Sequence, residues 1–172
     1  MFAVLCDGLT IAPGWLVIQQ RDASEMNVDF NGNWTSYREG FGSFDKNFFL
    51  GLEKIHLLTS IQDNELYVEF DFPGYSSGYA QYSSIEVDDE ENNYTLSLGK
   101  FSGQLDILGS CNSQVFSTYD HGNHQNCARE KGIGWWHHSC DSSNLNDKPE
   151  INYPKITRML IRPTYEFFEK NN

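Results

Sequence analysis

The chain has 172 residues, with 24 aspartates and glutamates against 12 lysines and arginines, a formal net charge of -12 and 15% aromatic residues. That length suits one domain with a true core. The acidic balance argues against nucleic acid and anionic lipid, both of which call for clustered Lys and Arg. No apolar run approaches the roughly eighteen residues needed to cross a bilayer, and Met1 opens directly onto FAVLC without the basic region, long apolar region or cleavage site of a secretory leader.

In chain order, FAVLC (2–6) reads as a short strand, followed by a turn at Asp7-Gly8 and a breaker at Pro13-Gly14. WLVIQQR (15–21) is β-branched enough for a second strand. Asn33 offers a helix N-cap before TSYREGF, a short amphipathic turn ending at glycine. From Gly51 the run LEKIHLLTS places Leu52, Ile55, Leu57 and Leu58 on one side, as in a short helix. ELYVEFDF (65–72) is the clearest strand: Leu66, Val68, Phe70 and Phe72 alternate with Glu65, Glu69 and Asp71, and Pro73-Gly74 ends it. YAQYSSIEV (79–87) and YTLSLG (94–99) are strands around DDEENN, which reads as a solvated hairpin tip. From Gly99 to about Tyr153, Gly, Asn and Ser dominate and periodicity fades. RMLIRP (158–163) is a last strand, and 164–172 a tail. With no internal repeat or linker, residues 1–163 read as one mixed α+β domain. It combines a twisted antiparallel sheet and short helices with a loop-rich C-terminal lobe.

Within that lobe, NCAREKGIGWWHHSCDSSNLN holds two of the four cysteines, a Trp-Trp pair and a His-His pair. Four cysteines allow three pairings, and no CxxC suggests a zinc ribbon or redox motif. The sequons at Asn33 and Asn93 are surface glycosylation sites in a secreted chain. Together with an even cysteine count they tilt towards an oxidising, extracellular setting. His121, His124, His137 and His138 beside Asp120 match no metal-ligand spacing. The chain also lacks a nucleophile elbow, a carboxylate pair and a phosphate-cradling glycine loop, so no enzyme is expected.

The ordered segments GWLVIQQR, NWTSYREGFG, FFLGLEKIHLLTS, ELYVEFDF, YTLSLGKFSG, FSTYD, NCA…GWWHHSC…SNLN and MLIRP resemble the fibrinogen C-terminal domain family, from about Phe2 to Pro163. Fibrinogen chains, ficolins, tachylectins and angiopoietins share that pattern. The resemblance implies an extracellular recognition domain that binds acetylated carbohydrate or a cell-surface protein through the loop-rich lobe, often beside calcium. It also implies a Cys127–Cys140 disulfide. Cys6 corresponds to a family cysteine whose partner lies upstream and Cys111 has no common counterpart, so the two either pair with each other or Cys6 is left free. On this pattern the chain looks like a partial domain, truncated at its start.

Carried over residue by residue, the ligand lobe departs from the family. The calcium loop keeps Asp120, but its two later acidic positions hold Gly122 and His124, so calcium, which needs six to eight oxygen donors, is expected to be lost. In the acetyl pocket, Asp141 stands where lectin-like members have His, and Lys131 where they have Tyr. The aromatic wall after Asn146 is shortened, with Tyr153 as the one partial substitute. What survives of the family's scaffold is Cys127, Trp135, Trp136, Cys140 and Ser142 to Asn146, and the ligand-lobe frame comprises Trp135, Trp136, His137, Ser139, Cys140, Asp141 and Asn144. The readings that follow are a lectin-like, innate-immune module for acetylated sugars, a receptor-binding module of angiopoietin type, or a domain without a ligand. Oligomeric state is not legible.

Overall fold

A computed structural model describes residues 1–8, 13–22, 24–25, 28–71, 77–141, 144–146 and 156–164. A nine-stranded antiparallel sheet carries the molecule: β1 (Leu5–Asp7), β2 (Trp15–Asp22), β3 (Phe41–Gly42), β4 (Phe48–Phe49), β5 (Asn64–Asp71), β6 (Gly78–Val87), β7 (Leu96–Leu98), β8 (Phe101–Gly103) and β9 (Ile156–Pro163). Its order is β3-β4-β2-β9-β5-β6-β7, with β1 pairing β2 and β8 pairing β6. Among the described residues three α-helices, α1 (Trp34–Glu39), α2 (Leu52–Ser60) and α3 (Gln125–Lys131), and a short 3-10 turn at Gly109–Cys111 complete the α+β architecture.

The last strand lies in the middle. β9 is paired with β5 along its whole length and with β2 from Ile156 to Ile161, and Met159, Leu160 and Ile161 are almost wholly buried. A strand buried on both faces needs a continuous apolar run, and RMLIRP supplies one. β5 shows the expected alternation, with Leu66, Val68 and Phe70 buried and the residues between them half-buried. Phe72 and Pro73-Gly74 lie outside the described residues, as do Ser142, Ser143, Tyr153 and the tail from 165.

Asn33 caps α1 as its sequence predicts: its side chain accepts from Ser36 N at 2.9 Å and from Ser36 Oγ at 2.8 Å. The helix ends at Gly40, whose φ of +89° and contact with the Leu50 carbonyl leave no room for a side chain. In α2, Leu52 and Ile55 are buried, but Leu57 is 43% exposed, because Thr59 takes the inner position and ties Val87 N.

Several local readings need correction. The first strand is Leu5–Asp7 rather than 2–6, because its partner is Trp15–Val17. The strand expected over 94–99 is only Leu96–Leu98, since Asn93 and Tyr94 take left-handed conformations (φ 52° and 48°) and form a turn. Strands β3 and β4, two residues each, are too short for periodicity to register. The stretch after Gly99 holds β8 and α3 as well as loops. The acidic turn is also more than a solvated tip: Glu90 Oε1 accepts from Trp34 Nε1 at 2.7 Å and lies 3.4 Å from Arg38 Nη1. Among the described residues no helix is long and apolar enough to cross a membrane.

Candidate functional site

Trp135 and Trp136 are fully buried and meet edge to face, with ring centroids 5.3 Å apart. Trp135 exchanges backbone hydrogen bonds with Ser117 in both directions, at 3.1 and 3.0 Å. Its indole N–H points to Cys111 Sγ at 3.3 Å, and the Trp136 indole donates to Tyr94 O at 2.8 Å. Phe116 meets Trp136 edge to face at 4.9 Å. The pair is thus a hub joining the 93–96 turn, the 116–118 segment and the stapled loop. Neither ring lines an open cleft.

Cys127 on α3 is bonded to Cys140, with Cα atoms 4.6 Å apart. A Cys6–Cys111 bond is not present: Cys6 is exposed on β1, whereas Cys111 is fully buried under Trp135. Burial pushes the Cys111 thiol up to about 11, so it stays protonated and unreactive.

The other frame residues separate by burial. His137 is 1% exposed with Nε2 3.4 Å from Ile133 O, and desolvation pushes its imidazole down to about 4. His138, Ser139 and Asp141 are exposed, Cys140 and Lys131 are half-buried, and Asn144 is buried. Asn146, also buried, donates to Gly134 O at 3.2 Å and accepts from Gln19 Nε2 at 3.1 Å. Gln19 also donates to Leu145 O, and so ties β2 to the end of the loop.

The loop after Ser117 is a tight turn. Thr118 N donates to His121 O at 2.9 Å, and Asp120 Oδ1 accepts from Thr118 Oγ1 at 2.7 Å and from Trp34 N at 3.0 Å. His121 lies over the Trp34 ring, centroids 3.9 Å apart, with Nε2 2.8 Å from Asn93 Oδ1. Gly122 has φ +87°, and a Cβ there would stand 2.5 Å from Phe116 O and 2.6 Å from Ser117 Oγ. His124 occupies the N-cap of α3 but makes no side-chain cap bond. Among the described residues, no three His, Cys, Asp or Glu side chains are grouped to hold a metal ion.

Two supporting residues escaped the sequence reading. Gln19 is a polar residue inside a β-branched run, a faint signal that it meets a partner. Tyr37 gave none. Its hydroxyl donates to Phe30 O at 2.6 Å and accepts from Gly134 N at 3.1 Å, and burial raises its pKa. Tyr37→Phe leaves the Gly134 N–H and Phe30 C=O buried without this partner, so a loss of about 1–3 kcal/mol is expected. Urea denaturation checks it; an unchanged midpoint would mean the hydroxyl bridges nothing of consequence.

The chain as a whole is similar to known proteins. The description "Fibrinogen beta and gamma chains, C-terminal globular domain" matches residues 1–157. Fibrinogen-like protein 1 from Bos taurus is 39% identical over 163 residues, covering 84% of this chain and 51% of that protein. Angiopoietin-related protein 6 from Mus musculus is 38% identical over 148 residues, covering 84% of this chain and 32% of that protein. The chain therefore spans about half of the length of the first relative and about a third of the second. Among solved structures, the fibrinogen-like globe domain of human ANGPTL6 superposes with a TM-score of 0.84 at 32% identity, covering 92% of this chain and 82% of that one. A lamprey fibrin D-dimer complexed with the peptide Gly-His-Arg-Pro-amide gives 0.80 at 26% identity, covering 93% and 64%.

Proposed function

The chain belongs to the family of fibrinogen C-terminal globular domains, and from that premise we propose that it is an extracellular, non-enzymatic recognition module that binds a protein or peptide without calcium. The 118–122 turn carries this reading. Calcium takes six to eight oxygen donors, carboxylates among them. Here the Asp120 carboxylate is engaged by Trp34 N and the Thr118 hydroxyl. Gly122 has no side chain and no room for one, and His124 brings a nitrogen. This donor set does not fit the ion. Trp34, His121 and Asn93 hold the turn in its place.

A protein or peptide ligand is favoured by kinship with an angiopoietin-related protein and by structural likeness to a fibrin that holds a peptide. The lectin-like alternative, for acetylated sugars, has less behind it. Asp141 and Lys131 depart from the lectin pattern, and Trp135 and Trp136 are spent in the core.

Calcium separates these readings cheaply. The melting temperature is expected to be the same in excess Ca²⁺ and in EDTA, since only a ligand that binds the native state raises it. Retention on immobilised N-acetylglucosamine is expected to be absent in both buffers. Calcium-dependent stabilisation would sink the ion-free reading, and retention on the sugar would restore the lectin.

A further inference from the structure

The half-buried residues of β5 share one face of the sheet: Glu65, Tyr67, Glu69 and Asp71. On that face Arg162 lies over the Trp15 ring, 4.4 Å from its centroid, while its Nε and Nη2 donate to Glu65 Oε1 at 2.9 and 2.7 Å. An aromatic ring with a carboxylate at its side thus seats one of the chain's own guanidinium groups. The aromatic row continues across the sheet. Trp15 meets Tyr67 at 5.7 Å, and Tyr67 stacks on Tyr79 of β6 at 5.4 Å, with the two phenol rings within 8° of parallel.

The far end of this row repeats the arrangement without a cation. Tyr79 stands opposite Glu69 and diagonal to Asp71, beside a cleft of about 310 Å³ that Gln104 and Ile156 also line. Its ring is not covered: Tyr79 is 38% exposed. Gln104 holds its backbone from both sides, since Gln104 N donates to Tyr79 O and Tyr79 N donates to Gln104 Oε1, each at 3.0 Å. Arg158 is divided between Asp7 at 2.7 Å and Glu69 at 3.1 Å, so one guanidinium serves two carboxylates. Asp71 forms no ion pair among the described residues, and its Oδ1 accepts only from Ser77 Oγ, at 3.5 Å. Among the described residues the rings that carry a guanidinium are Phe30 and Trp15, not Tyr67 or Tyr79.

We propose that Tyr79 and Asp71 form a seat for an arginine side chain of a basic segment on a partner protein, with the guanidinium on the open face of the Tyr79 ring and paired with Asp71. The inference rests on the reading of the chain as a protein- or peptide-binding module and names the chemistry of the partner. Charge complementarity selects that occupant. A net charge of -12 draws basic partners, and a carboxylate beside an open ring favours a cation over a neutral sugar or an apolar side chain. Arginine suits the place better than lysine, because its planar group stacks on a ring while its N–H groups reach a carboxylate. Stacking on Tyr67 and the two bonds to Gln104 hold Tyr79 in place beforehand, so little order is lost on binding.

Amide NMR of the full chain tests this with acetyl-Gly-Arg-Gly-amide as the probe, exposed Cys6 being changed to Ser throughout to exclude disulfide-linked pairs. The peptide is expected to shift the Asp71, Tyr79 and Gln104 signals saturably at millimolar concentration, and more weakly at high salt. Its citrulline counterpart has the same shape without the charge and is expected to bind about tenfold more weakly. Tyr79→Ala is expected to weaken binding about fivefold and Asp71→Asn about threefold, while Tyr79→Phe, which keeps the ring, binds like wild type. Unchanged signals elsewhere verify that each variant folds. The seat is overturned by the absence of a saturable shift at these residues, by equal binding of the citrulline peptide, or by wild-type affinity in Tyr79→Ala or Asp71→Asn. Those outcomes leave the wider reading standing, which fails instead on retention by immobilised N-acetylglucosamine.

Discussion

Replacing Trp136 by alanine is expected to cost about 3–5 kcal/mol, the range for removing a large buried aromatic. Three losses combine. The ring is fully buried, so its removal opens a cavity in close-packed surroundings. Edge-to-face contacts with Phe116 at 4.9 Å and Trp135 at 5.3 Å disappear. The Tyr94 carbonyl also loses its indole donor, at a turn whose Asn93 and Tyr94 already hold left-handed conformations. Trp136→Phe keeps most of the apolar volume but not the N–H, so it should fall between wild type and alanine. Urea midpoints at constant slope measure both. A Trp136→Ala midpoint within error of wild type would show that the indole is not the hub described here.

Acidification is the second large effect. His137 is pushed down to about 4, first by burial and then by the nearby positive charges of His124 and Lys131, with the bond to Ile133 O opposing. Its folded pKa lies below the unfolded value of 6.5, so folding favours the neutral ring. The contribution is fully present above pH 6.5 and is lost as pH falls from there to about 4. A shift of this size is worth about 3 kcal/mol at 1.36 kcal/mol per pH unit. Carboxylates titrate over part of the same range, so the comparison is with His137→Gln. The wild type is expected to lose more stability between pH 7 and pH 4 than the variant does. Parallel curves would mean that His137 is protonated in the native state near its ordinary pKa.

His137 also shows the limit of sequence reading. In the sequence it is one of two adjacent histidines beside Cys140, and nothing distinguishes it from His138. In the structure one is buried against Ile133 and the other faces water. Asn33 is the opposite case: a cap acts on residues two or three positions away, so local sequence suffices, and the cap is present. The alternation of β5 was legible for the same reason, because period two is a local property. Strand β8 was not, since three residues are too few for period two to register.

What the sequence determined by itself is the family, the α+β class, the main strands and α2, and the loss of acidic side chains from the 120–124 loop. These follow from residue type, period and order along the chain. The tertiary structure alone decided that Trp135 and Trp136 are core and not lining, that Cys6 and Cys111 stand unjoined, and that Gln19 and Tyr37 fasten the lobe to the rest. The physical reason is distance along the chain: Gln19 meets Leu145 across 126 positions and Tyr37 meets Gly134 across 97. No local pattern encodes which polar groups become partners once the strand order has brought such distant segments together.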